Sequence, residues 1–192
     1  MRSATVHRQT SETEITIELN LDGRGNATVD TGVGFFDHML ISFARHGLID
    51  LMIKAKGDLA VDDHHTIEDV GISLGEAYWE ALKDKAGIER FGHAIVPMDE
   101  ALATVAIDIS GRGRSIFSAD LRQAKIGDYS TIMTRHFVDS FARAAGITVN
   151  VRIEGEDDHH MIEAMFKALG LSLLMATTKN EKRGMPSTKG II

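Results

Sequence analysis

An α+β fold built from two copied halves is what this sequence predicts, on three observations. First, one ordered block occurs twice: FDHMLISFARHG followed by DDHHTIEDVG lies over RHFVDSFARAAG followed by DDHHMIEAMF. Ser42-Phe43-Ala44-Arg45 matches Ser140-Phe141-Ala142-Arg143 without change, which sets His38 on His136. A three-residue adjustment in the next loop sets His64, His65 and Glu68 on His159, His160 and Glu163. Second, each half alternates segments of strand period with segments of helix period. Third, the 192 residues are 43% hydrophobic and 26% charged, an ordinary globular balance with enough chain to bury a core. The expected organisation is one duplicated domain: half-domains at 1–90 and 91–180, then a tail at 181–192.

The elements follow in order. ETEITIELN alternates apolar and polar residues and reads as a strand with one buried face. GFFDHMLISFARHG carries apolar residues at helical spacing, with Gly47 at its C-terminal end. DLMIKAKG is a short strand, and a longer helix starts near His64 with Asp63 placed to cap it. The second half repeats this grammar. EALATVAIDIS and RSIFSAD are strands, STIMTRHFVDSFARAAG is a helix stopped at Gly146, and ITVNVRIEG is a strand. A last helix starts at the second His-His pair with Asp158 as its cap, and NEKRGMPSTKGII loops over the surface.

Composition narrows the function. Lysine and arginine total 21 against 28 acids, a net charge of −7, which argues against nucleic acid or an anionic membrane as the main partner. There is no cysteine, so disulfides and thiolate metal sites are out and a cytoplasmic enzyme is expected. The polar, alternating N-terminus holds no signal-peptide core, and no apolar run approaches the ~20 residues of a membrane span.

The nine histidines are the odd count, and helix geometry gives most of them a use. At about 100° per residue, His64 and Glu68 lie within roughly 40° of each other on one face, while His65 points about 100° away. Each motif thus offers a His–Glu pair to one metal and a lone His to another. Adding His38 and His136 divides the set into two sites of three histidines and one glutamate. Such a site leaves an octahedral ion open positions for catalysis, and its nitrogen and oxygen donors suit Mn, Fe, Ni or Zn. Asp62, Asp63, Asp157 and Asp158 are placed to cap helices or to orient imidazoles. The plainer alternative, two equivalent helix starts whose histidines only form hydrogen bonds, does not explain the repeated His and Glu four residues apart. His7 and His93 stand outside the pattern.

RQTSETEI, DTGVGFFDHML, DDHHTIEDVGI, GIERFG, PMDEAL, DISGRG, GEDDHHMIEAMFKALG and PSTKG, in this order along essentially the whole chain, resemble the imidazoleglycerol-phosphate dehydratases of histidine biosynthesis. No phosphatase domain accompanies them, which resembles the monofunctional form. The resemblance implies two four-stranded sheets flanking a layer of helices, and two Mn2+ ions per active site. One ion would be held by His38, His65, His159 and Glu163, the other by His64, Glu68, His136 and His160. It also implies a homo-oligomer of 24 subunits built from trimers, with metal sites completed between chains. Relatives often carry Asp-Gln where Ile41-Ser42 follow DHML here, and Asn in place of Asp157; neither change touches a ligand.

The implied reaction removes water from imidazoleglycerol phosphate to give imidazole-acetol phosphate. The carbon proton to be lost has no neighbouring carbonyl, so metals on the ring nitrogens would favour an imidazolate that expels hydroxide through a diazafulvene-like intermediate. By resemblance Glu12 handles the carbon proton and His46 stands near the hydroxyl. Substrate contacts fall to Glu12, His38, His46, His64, His65 and Glu68, with Arg90, Arg112, Ser187, Thr188 and Lys189 on the phosphate. Two competing readings are a dinuclear metal-dependent hydrolase of a phosphorylated small molecule, and a metal-storage or metal-sensing assembly. The first wants a bridging carboxylate that the ligand division does not leave over. The second gives Glu12, Arg112 and Lys189 nothing to do.

Overall fold

The computed structural model describes residues 2–180, 182–187 and 190. Its first half runs β1 (Ser3–Gln9), β2 (Thr13–Asn20), β3 (Ala27–Asp30), α1 (Gly34–His46), β4 (Asp50–Gly57) and α2 (His64–Leu82). The second runs β5 (Phe91–Met98), β6 (Ala101–Asp108), β7 (Arg114–Ser118), the short β8 (Lys125–Ile126) and β9 (Tyr129–Ser130), α3 (Met133–Ala144), β10 (Thr148–Glu154) and α4 (Asp158–Thr177).

Alternation decides which sheet faces are covered. In β2, Ile15, Ile17 and Leu19 turn inward while Glu14 and Glu18 face out, and β6 does the same with Ala103, Val105 and Ile107. The two four-stranded sheets have the same order, β1-β2-β4-β3 and β5-β6-β10-β7. Pairing is antiparallel except at one edge of each, where β3 lies parallel to β4 and β7 parallel to β10. Those parallel pairs are joined through α1 and α3, as a crossover requires. A third, two-stranded sheet, β8-β9, belongs to an excursion between β7 and α3 that has no counterpart between β3 and α1.

The helices form the layer between the sheets. α2 packs on β1 and β2, and α4 on β5 and β6. Within the layer the helices pair across the halves, α1 with α4 and α2 with α3. Phe36, Phe137 and Phe166 meet edge-to-face or tilted in the core, as do Phe43, Tyr78 and Phe141. Both crossings use a glycine for close approach. A Cβ on Gly75 would stand 2.7 Å from the Phe141 carbonyl oxygen, and one on Gly170 would stand 2.5 Å from that of Phe43.

Three local expectations change. The caps are Asp62 and Asp157, which accept the backbone N–H of His64 and His159 at 2.8 Å each. Asp63 and Asp158 are buried and turn instead to the excursion: Asp63 accepts from the Ser130 N–H and hydroxyl, and Asp158 from the N–H groups of Arg122 and Gln123. The end of α1 also differs. Gly146 takes the left-handed conformation after α3 (φ 62°), but Gly47 is right-handed and Leu48 takes the left-handed place (φ 51°). Gly47 is needed for a different reason, since a Cβ there would come within 3.3 Å of the Gly170 carbonyl oxygen.

Candidate metal centre and active site

Cross-half helix pairing brings the histidines together. Where α1 meets α4, Glu163 Oε2 lies 3.6 Å from His38 Nε2 and 3.4 Å from His159 Nε2. Where α2 meets α3, His64 Nε2 lies 3.1 Å from Glu68 Oε2 and its ring centre 5.1 Å from that of His136. Each set therefore holds two histidines and one glutamate, drawn from one helix of each half. Among the described residues no group of three or more His, Asp or Glu closes into a finished ion site within this one chain.

The two glutamates sit in different surroundings. Glu163 is 11% exposed, and its second oxygen pairs with Lys167 Nζ at 3.0 Å; Glu68 is 40% exposed and has Ile72 where Glu163 has Lys167. Burial works to raise the Glu163 carboxyl, but Lys167, His38 and His159 together bring it below its ordinary value. Lys167 carried no signal as a lone lysine on a helix; only its spacing of four from Glu163 pointed to a pairing.

The outer histidine of each pair faces away from these sets. His65 Nδ1 lies 3.0 and 3.2 Å from the carboxylate oxygens of Asp58, and its Nε2 lies 3.7 Å from Glu12 Oε1. His160 Nδ1 lies 3.0 Å from Glu100 Oε2, and its Nε2 lies 3.7 Å from Asp99. The hydrogen bonds to Asp58 and Glu100 raise both imidazoles above their usual value. His160, with the backbone N–H of Asp157, holds the Glu100 carboxyl down at about 2. The carboxylates at Nδ1 of these imidazoles are thus Asp58 and Glu100, not members of the Asp pairs, for which the sequence left both capping and imidazole contact open. Neither is adjacent to its histidine in sequence, so only the fold reveals them.

Glu12 sits at the tip of the β1–β2 hairpin, above a hollow of about 300 Å3 that Lys56 and Asp58 also line. His46 ends α1, about 12 Å along the axis from His38. Burial, then the nearby Lys167 charge, lower its imidazole below the ordinary value, which keeps it neutral near pH 7. A larger hollow of about 520 Å3 opens on the first sheet beside Thr5, Arg45 and Asp50, and none of these groups lines it. It is a surface groove without convergent functional side chains.

The phosphate candidates gather elsewhere. Arg90 donates to both oxygens of Asp108, at 2.7 and 3.2 Å, and to the Pro186 carbonyl at 2.7 Å. Arg112 stands 3.9 Å from the same carboxylate with its side chain 70% exposed, and the Ser187 N–H donates to the Met185 carbonyl. Thr188 and Lys189 lie outside the described residues. Asp108 ends the strand that Glu100 precedes, so this cluster and His160 sit at opposite ends of β6, about 25 Å apart. One chain does not bring its arginines to its own His160.

The model of the family described as imidazoleglycerol-phosphate dehydratase matches residues 31–173. The chain belongs to the imidazoleglycerol-phosphate dehydratase family. The dehydratase of Methanocella arvoryzae is 78% identical over 192 residues, covering all of both chains. That of Methanosarcina mazei is 51% identical, again over the full length of both. The crystal structure of the Pyrococcus furiosus enzyme aligns at a TM-score of 0.85 with 37% identity, covering 97% of this chain and all of that one. The Staphylococcus aureus enzyme aligns at 0.84 with 36% identity, covering 93% and 99%. The fold is therefore the dehydratase fold, and the chain is a carbon–oxygen lyase that removes water from imidazoleglycerol phosphate in histidine biosynthesis.

Proposed function

We propose that this dehydration depends on two Mn2+ ions, one at each cross-half set. The observation that carries the reading is the matched geometry of His38, His159 and Glu163 on one side and His64, His136 and Glu68 on the other. The residues fit such ions: the donors are nitrogen and oxygen without sulfur, and the Nδ1 atoms of His65 and His160 are already engaged, leaving each Nε2 to bind. His65 completes the first set and His160 the second, supplied by neighbouring chains because both point away from their own. Bound there, the cations would supply Lewis acidity, the charge relief that a dehydration through imidazolate and diazafulvene would need.

The chain's own groups do the rest. Glu12, 3.7 Å from His65, takes the carbon proton. His46 is assigned beside the departing hydroxyl, which takes its own proton and the electron pair of the broken C–O bond with it. Arg112 and Arg90, with Ser187, Thr188 and Lys189, grip the phosphate. The two arginines do so from a neighbouring subunit, since the Asp108 end of β6 beside which they sit is about 25 Å from the His160 of their own chain. Assembly into 24 subunits from trimers fits this division. It also fits the exposed apolar row of Phe91, Ile95, Leu102 and Ile116 on the outer face of the second sheet. The cytoplasm is the compartment we assign.

The test is metal removal. Chelator-stripped protein should form imidazole-acetol phosphate at a small fraction of the initial rate, and Mn2+ should restore it. Undiminished turnover by fully stripped protein would overturn the reading.

A further inference from the structure

The two outer histidines reach the same end by different means. Counted along the hairpins, Ser3 pairs with Asn20 and Phe91 with Asp108, so Glu12 and Glu100 occupy the same hairpin position in the two halves. Glu100 turns its carboxylate to Nδ1 of His160. Glu12 does not do this for His65: it stands on the Nε2 side at 3.7 Å, and Nδ1 is taken by Asp58. Asp58 comes from the β4–α2 connection, residues 58–63, whereas the matching connection in the second half spans only residues 155–157. One duplicated atom, Nδ1, is thus held by a carboxylate from a hairpin in one half and from a longer loop in the other. A contact merely inherited from the duplication would use the same position twice. Its supply from two different elements marks the contact itself as what the site requires.

We infer that Asp58 and Glu100 are positioning residues, each fixing the outer histidine of its half with Nδ1–H donated and Nε2 free to bind a metal. Asp58's presence is what leaves the hairpin glutamate Glu12 without an orienting task. The chemistry is that of a carboxylate–histidine–metal triad: the acceptor selects the tautomer, locks the ring angle and makes Nε2 a better donor. Asp58 is the cleaner of the pair, because Glu100 also accepts the Asp157 backbone N–H at 2.9 Å and so supports the start of α4.

The inference rests on the histidines being metal ligands, and the experiment separates the two. Mn2+ is titrated into the stripped full-length protein, and free ion is followed by electron paramagnetic resonance. Asp58→Ala should weaken one class of site about 10- to 100-fold and Glu100→Ala the other class. Asp58→Asn and Glu100→Gln, whose amide oxygens still accept, should fall between Ala and wild type. A purely structural role would instead lower the melting temperature of the stripped protein and weaken both classes alike. His160→Gln is the reference and should abolish one class. If it does while both Ala variants bind like wild type, the positioning role is wrong. If His160→Gln also binds like wild type, the ligand reading fails and the positioning role falls with it. Should Glu100→Ala not fold, Asp58→Ala decides alone.

Discussion

The two halves are alike where their helices cross and unlike at the rim. Both crossings carry a His–Glu pair on the long helix, a histidine on the short one and a close-packed glycine further along, Gly75 or Gly170. The rims have diverged. Glu163 is buried against Lys167 while Glu68 is half exposed beside Ile72, and the excursion at residues 119–132 exists only in the second half. That excursion is tied to both His-His motifs through Asp63 and Asp158, so an element of one half steadies the helix starts of both. Packing explains the pattern. A helix crossing tolerates no independent change because each side fills the other, whereas a rim residue can change and be answered by another element.

Glu163→Gln and Glu68→Gln test that contrast with the largest effects. Each removes the only carboxylate of its proposed metal set, so each should lower turnover with Mn2+ by more than about 100-fold. Only Glu163→Gln takes away the carboxylate that Lys167 pairs with in a largely buried site. Denaturant unfolding of stripped protein should therefore show a loss of about 1–3 kcal/mol for Glu163→Gln. Glu68→Gln should stay within about 0.5 kcal/mol. Equal losses would mean that the rim asymmetry has no energetic weight.

Next come Gly75→Ala and Gly170→Ala, which probe what the halves share. Alanine gains up to about 1 kcal/mol of helix propensity over glycine. Here the new Cβ would meet the Phe141 carbonyl oxygen at 2.7 Å in one crossing and that of Phe43 at 2.5 Å in the other, and backbone cannot step aside as a side chain can. Overpacking of this kind costs about 1–3 kcal/mol, so both variants should unfold at lower denaturant, by similar amounts. Each should also loosen Mn2+ at its own crossing and not at the other, which the same ion titration reads. A variant that weakened both classes equally would show that the crossings are one mechanical unit.

What could be read in the sequence was whatever depends on period and copy. Helical spacing places His64 with Glu68 and turns His65 away, and the duplicated register matches His38 to His136. The helix pairing that joins α1 to α4 could not be read, because both amphipathic faces fit either neighbour, and that pairing is what sets Glu163 beside His38. Asp58 and Glu100 were hidden for a related reason: their contacts run between a loop or hairpin and a helix, with no periodic signature. Asp63 and Asp158 were misread as caps because a cap position is defined within a few residues, whereas their partners lie across the fold at Ser130 and Arg122. Arg90 and Arg112 were grouped with the histidines by resemblance, and the length of β6 keeps them from His160 within one chain.

The smallest expected effect lies just past the ends of α1 and α3, where the halves put different residues in the same backbone conformation. Gly146 adopts a left-handed φ of 62° and Leu48 one of 51°. A side chain is disfavoured there by a clash between Cβ and the carbonyl, a cost of about 1 kcal/mol that glycine escapes. At position 146 a side chain is doubly barred, since a Cβ would lie 2.6 Å from the Trp79 ring. Leu48 is 49% exposed, so it recovers little of its backbone cost by packing within the chain. Leu48→Gly should therefore raise the unfolding free energy of the stripped protein by about 0.5–1 kcal/mol, while Gly146→Ala should lower it by more than about 1 kcal/mol. The sign at position 48 is the informative part. If Leu48→Gly destabilises instead, the leucine is held by contacts outside the single chain, and repeating the measurement with Mn2+ present would show a larger loss if assembly buries it.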